Sequence, residues 1–147
     1  MPRNAIAYDD DFFTWTQEQA RLLRDGEFAD IDVENLAEEV ESMGRSVRRG
    51  LRNRLTILLM HLLKWRYQPM FRSRSWSGTI REQRAQAQSL MDESPSLSSL
   101  LADQLSEIYA SALTKAAGET GFAETGFPIT CPFTPEQILS EDFLPED

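Results

Sequence analysis

Four glutamates, Glu34, Glu38, Glu39 and Glu41, fall within about two helical turns, and helical bundles build metal sites from glutamates on facing helices. Their spacing argues against that chemistry. Glu34, Glu38 and Glu41 lie on the side of a helix opposite the apolar positions Val40 and Val47, where they meet solvent, and the chain has no Glu-x-x-His pair. No metal and no cofactor is expected. His61 is the sole histidine and stands seven residues after Arg54, so the two share one side of a helix. Basic groups directed toward a core need acceptors there, and Glu18, Glu82, Glu107 and Glu119 are the candidate carboxylates. Arg54, His61, Trp76 and Glu119 therefore compose a candidate polar pocket. As a site it would bind an anion or move a proton through a tunable imidazole; as architecture it is a satisfied buried network, which is the plainer account.

Arg74-Ser75-Trp76-Ser77-Gly78-Thr79 places hydroxyls and guanidinium groups at an expected helix start, where anions are attracted. The segment lacks the Gly-Lys-Ser/Thr of a Walker loop, which speaks against nucleotide hydrolysis. Cys131 lies between Thr130 and Pro132 and reads as a small packing residue. Being the single cysteine, it has no internal disulfide partner, and with no secretory pattern at the N-terminus this points to a reducing cytoplasm.

Charge is the strongest signal. Eleven of the 15 Lys and Arg residues fall between Arg45 and Arg84 with one acid, Glu82, so this stretch carries +10 and the remainder −19. Arg45, Arg48, Arg49 and Arg52 form a stripe directed away from the expected core, and with Arg72 and Arg74 they make a candidate basic patch that could track a phosphate backbone. Acids precede this stripe on the same helix. Such a bipolar helix can pair antiparallel with its own copy, acidic end against basic middle, which gives a C2 homodimer as an expectation. The overall pI near 4.6 disfavours bulk affinity for nucleic acid.

The elements that carry these residues read as helices. Asp9, Asp10 and Asp11 offer caps for a first helix of about 15 residues bearing Phe12, Trp15, Ala20, Leu22 and Leu23 and stopping at Gly26. Asp32 then caps a long helix reaching Tyr67, on which Val33, Leu36, Val40, Met43, Val47, Leu51, Leu55, Leu58, Leu62 and Trp65 follow at spacings of three and four. They fill one stripe roughly 100° wide, expected to be the core face, with Pro69 ending the helix. A third helix is expected from Trp76 to Met91 capped by Ser75. Ser94-Pro95 should open a fourth through Leu97, Leu101, Leu105, Ile108, Tyr109 and Ala112, fading at Gly118 or Gly121. Phe122 to Phe133 suggests a tail laid across the helices. Thr134-Pro135-Glu136-Gln137 is a capping box for a last short helix. The longest apolar run, Leu55 to Leu63, falls short of a membrane span.

Several separated stretches, Leu36 to Gly44, His61-Leu62-Leu63-Lys64-Trp65, Ser75-Trp76 with Thr79-Ile80 and Gln83-Arg84, Ser94-Pro95-Ser96-Leu97, Glu119-Thr120-Gly121, Phe127-Pro128 with Cys131-Pro132, and Phe143-Leu144-Pro145, resemble the bacterial domain of unknown function family 29. The resemblance covers nearly the whole chain and implies a single all-helical domain; it implies no activity.

The expected architecture is an all-α bundle, one domain over residues 1–147, with four longer helices and a short C-terminal one around a central helix of about 32–67. The favoured function is a non-catalytic protein-interaction or self-assembly module with a charge-segregated surface. The alternatives are a binder of nucleic acid or another polyanion through the basic segment, and an enzyme built on the pocket near His61. No membrane partner is expected.

Overall fold

Asp11 accepts hydrogen bonds from the Thr14 backbone amide (3.1 Å) and hydroxyl (2.8 Å), which satisfies a donor that the first turn would leave orphaned. The first helix, α1 (Phe12–Arg24), starts there and stops at Gly26, whose φ of 74° is left-handed backbone that glycine adopts without penalty. The computed structural model describes residues 7–146. They fall into two compact units, one up to Ser46 and one from Val47, and the long helix α2 (Val33–Tyr67) contributes residues to both.

In the first unit Asp32 is the hub. Its carboxylate accepts from the Asn35 amide (3.4 Å), the Asn35 side chain (2.8 Å) and the Trp15 indole (3.1 Å), while its own backbone N–H donates to Gln19 Oε1 (2.7 Å). The Asn35 side chain above all holds the Asp32 carboxyl below its ordinary range, with the Trp15 indole adding to it. Capping, the anchoring of Trp15 and the burial of Gln19 are thus one arrangement. Tyr8 packs edge-on against Phe12 and Trp15, and its hydroxyl donates to Glu39.

The second unit holds a continuous apolar core. Leu51, Leu55, Leu58, Leu59, Leu62 and Leu63 of α2 are fully buried against Ile80 and Ala87 of α3 (Arg74–Glu93), Leu100 and Leu101 of α4 (Leu100–Asp103), Ile108 and Ala112 of α5 (Leu105–Thr120), and Ile138 of α6 (Pro135–Leu139). Each such leucine contributes about 1.5–3 kcal/mol through burial. Phe127 and Phe133 insert into the same core, so the Gly- and Pro-containing segment is a packed tail, tied down by the Tyr109 hydroxyl donating to the Pro128 carbonyl (2.6 Å). The Thr134 capping box forms as expected, and Gly121 (φ 77°) ends α5. Among the described residues there are six α-helices and no strand, so the fold is all-α.

Three expectations are corrected. Ser73 rather than Ser75 caps α3, because its hydroxyl accepts from the Trp76 amide two residues earlier than expected. The single fourth helix is instead a 3-10 turn (Pro95–Ser99) followed by α4 and α5, broken at Gln104, whose φ of −119° leaves the helical region. The apolar stripe of α2 is core only from Leu51 onward: Val33, Val40, Met43 and Val47 are 63, 59, 61 and 41% exposed. Helical periodicity requires only that these residues share a face; covering that face needs a second element, and among the described residues none buries these four side chains, Leu36 beside them being half-buried.

Candidate functional site

Lys64 is the residue around which the polar features of the second unit gather. Its side chain is only 9% exposed. Its ammonium stands 4.6 Å from the centre of the Trp76 ring on α3 and 3.8 Å from the Glu119 carboxylate at the end of α5. The ring face and the carboxylate together offset the cost of holding a charge there. These three line a depression of about 350 Å³ with Gln68, Phe71 and Thr120.

The structure therefore brings together two of the four residues expected in a polar pocket, Trp76 and Glu119, through a lysine that the spacing argument passed over. His61 lies one turn before Lys64 on α2 and hydrogen-bonds the Ile57 carbonyl through Nδ1 (2.9 Å). Among the described residues Arg54 takes no carboxylate; it donates to Gln83 Oε1 of α3 (3.4 Å). Of the other carboxylates proposed as its partners, Glu18 pairs with Arg21 and Glu107 with Arg52. The stretch His61-Leu62-Leu63-Lys64-Trp65 did contain the missing signal: a lysine between Leu63 and Trp65 must either snorkel or find a partner.

The basic patch is distributed. Arg45 bridges Glu38 (2.9 Å) and Glu41 (3.6 Å) on its own helix, and Arg52 reaches Glu107 (3.5 Å). Arg72 donates to the Trp65 carbonyl (2.6 Å) and lies over the Trp65 ring. Arg48, Arg49 and Arg74 are exposed. The Cys131 thiol donates to the Phe133 carbonyl (3.3 Å), and burial pushes its pKa up, away from a nucleophilic thiolate. Among the described residues no three His, Cys, Asp or Glu side chains converge as a metal site would need, and no helix is long and apolar enough to cross a membrane.

A family model described as Domain of unknown function DUF29 matches residues 7–144. The chain belongs to the DUF29 family. Neither a curated protein nor a solved structure matches it. For this DUF29 chain, membership agrees with the all-helical fold and assigns no chemistry to the Lys64 cluster.

One titration in the cluster has a measurable consequence. Burial holds the His61 imidazole below its ordinary pKa; the Lys64 ammonium lowers it further, and the Ile57 carbonyl and the Glu119 carboxylate oppose the shift. A histidine that titrates lower in the folded chain leaves the unfolded chain binding more protons below about pH 6.5, so stability falls as pH drops through that value and levels off below the folded pKa. The melting temperature of the wild type is expected to decline between about pH 7.5 and 5.5, and that of His61→Gln to decline less. Parallel declines in thermal melts at the two pH values would remove His61 as the cause.

Proposed function

We propose that this DUF29 protein is a non-catalytic protein-interaction module whose contact surface is the outer face of α2. The observation that carries this reading is the exposure of Val33, Val40, Met43 and Val47, four apolar side chains on one stripe of a helix. Scattered surface apolar residues need no explanation, but an aligned set marks a binding surface. The ion pairs of Arg45 and Arg52 with carboxylates of the chain weaken the case for the basic segment as a track for polyanions. Surface pairs of that kind are worth about 0.2–1 kcal/mol each, so a docking partner of complementary charge can exchange them. The single cysteine supports a reducing, cytoplasmic setting.

The test is the double substitution Val40→Glu with Met43→Glu. Surface changes of this type stay within about 0.5 kcal/mol, so the variant is expected to keep its helical circular dichroism and, at a dilution where the wild type is monomeric, its melting temperature, while losing any complex the wild type forms in native mass spectrometry. Loss of helicity would make the stripe part of a core and end the interaction reading.

A further inference from the structure

From the spacing, exposure and charge of α2, and resting on the interaction reading above, we infer that the partner of this face is a second copy of the chain, paired antiparallel along residues 33–50. Val33, Leu36, Val40, Met43 and Val47 are separated by three, four, three and four residues. That is the strict heptad seam of a two-stranded coiled coil, narrower than the stripe of a helix packed into a globular core. Past Val47 the steps change to four and four, through Leu51 to Leu55. A four-residue insertion of this kind ends a heptad phase, and it falls where α2 becomes buried, Leu51 being the first fully covered residue of the helix. The change of phase and the change of burial coincide, so α2 carries two seams with different partners: its own chain from Leu51 onward, and another helix before it.

The flank of the first seam is shaped for a close neighbour. Ala37 and Gly44 follow Leu36 and Met43, at the heptad position beside the seam, and both are exposed. Gly44 costs the helix about 1 kcal/mol relative to alanine, and a Cβ built on it would meet nothing within 4 Å in its own chain. The intramolecular packing therefore gives no reason for a glycine, whereas a helix backbone approaching the seam does.

Charge selects the partner. From Asp30 to Gly44 there are six acids and no base, and from Arg45 to Arg54 five arginines and no acid. A parallel copy would set acids on acids and arginines on arginines; an antiparallel copy sets the acidic half of the segment against the basic half, and a two-fold pairing presents the same patch to itself. Alternating the two seam positions, as antiparallel helices do, puts Val40 opposite Met43 of the second copy and Leu36 opposite its Val47, with the axis between Glu41 and Ser42. Glu34 then lies level with Arg49 of the second copy, and Glu38 with its Arg45, on the outer sides of the two helices, so these charges favour the antiparallel arrangement through the field along the pair and not as bridges across the seam. The seam spans about 26 Å at 1.5 Å per residue.

The experiment uses the full chain with Cys131→Ser, carrying either Val40→Cys or Met43→Cys, the two forms distinguished by an affinity tag. Mixing them under mild oxidation is expected to give a disulfide-linked species joining position 40 to position 43 in several-fold excess over 40-to-40 and 43-to-43 links, and light scattering of the wild type at low salt should give twice the chain mass, falling toward the monomer as salt rises. A monomeric wild type at high concentration and low salt, or like-to-like links in excess, overturns the antiparallel copy. The Val40→Glu, Met43→Glu variant separates this failure from that of the interaction reading: a monomeric wild type beside a folded double variant leaves the face to a foreign partner, and an unfolded double variant removes both.

Discussion

Leu58→Ala is expected to cost about 2–5 kcal/mol of stability, and Val40→Ala none, or a gain of a few tenths, although both residues stand on α2 within the same apolar pattern. Leu58 is fully buried in the core of the second unit, so its truncation loses apolar burial and leaves a cavity that rigid neighbouring helices close only in part. Val40 is 59% exposed, so alanine removes little buried surface and relieves the restricted χ1 of a β-branched side chain. A loss of about 2–5 kcal/mol is a large part of the roughly 5–15 kcal/mol that holds a domain of this size together. The measurement is urea unfolding of each variant at a dilution where the chain is monomeric, since association would make the apparent stability concentration-dependent. Comparable losses at the two positions would mean that the N-terminal part of the stripe is packed within the chain.

That contrast also shows how far the sequence could be followed. Local signals held: Asp11 and the Thr134 box start helices because a side-chain oxygen satisfies an adjacent amide, and Gly26 and Gly121 stop them because left-handed backbone favours glycine. Each depends on neighbours a few residues away. The break at Gln104 left no such mark, since Leu97, Leu101, Leu105 and Ile108 keep helical spacing straight across it. Nor could periodicity decide which part of the α2 stripe is covered, because an amphipathic face records that an apolar neighbour is needed and not whether the chain itself supplies one. Lys64 carried a local mark, a cation on a largely apolar turn, but not its partners, because Trp76 and Glu119 are brought to it from two other helices. The charge segregation, by contrast, was fully legible as composition, and the structure adds that Arg45 and Arg52 pair with carboxylates of the chain.

Arg84→Met is expected to loosen the C-terminal segment before the rest of the second unit. Arg84 is 5% exposed on α3; its Nε donates to the Ile138 carbonyl (2.8 Å) and its terminal nitrogen to the Gln137 carbonyl (3.3 Å). These are carbonyls at the end of α6, which a helix leaves without internal partners, and α6 has only five residues, far too few to be stable alone. Its attachment rests on Ile138 and Phe133 in the core, on Leu139 and Phe143 packed against it, and on this guanidinium. Burial lowers the Arg84 pKa, but arginine remains charged, so the clamp is a charge-assisted pair of hydrogen bonds. Methionine keeps most of the apolar stem and removes both donors, leaving the Ile138 carbonyl in a buried place without its partner, at a cost of about 1.5–3 kcal/mol. Arg84→Lys retains the charge but not the two-pronged geometry, and should fall between. Hydrogen exchange is the discriminating measurement: amides of α6 and the flanking tail should lose protection in Arg84→Met while those of α2 from Leu51 onward keep it, because local opening releases the five-residue helix without dissolving the leucine core. Unchanged protection in α6, with wild-type melting, would show that Ile138 and Phe133 hold the segment unaided and that the guanidinium clamp is dispensable.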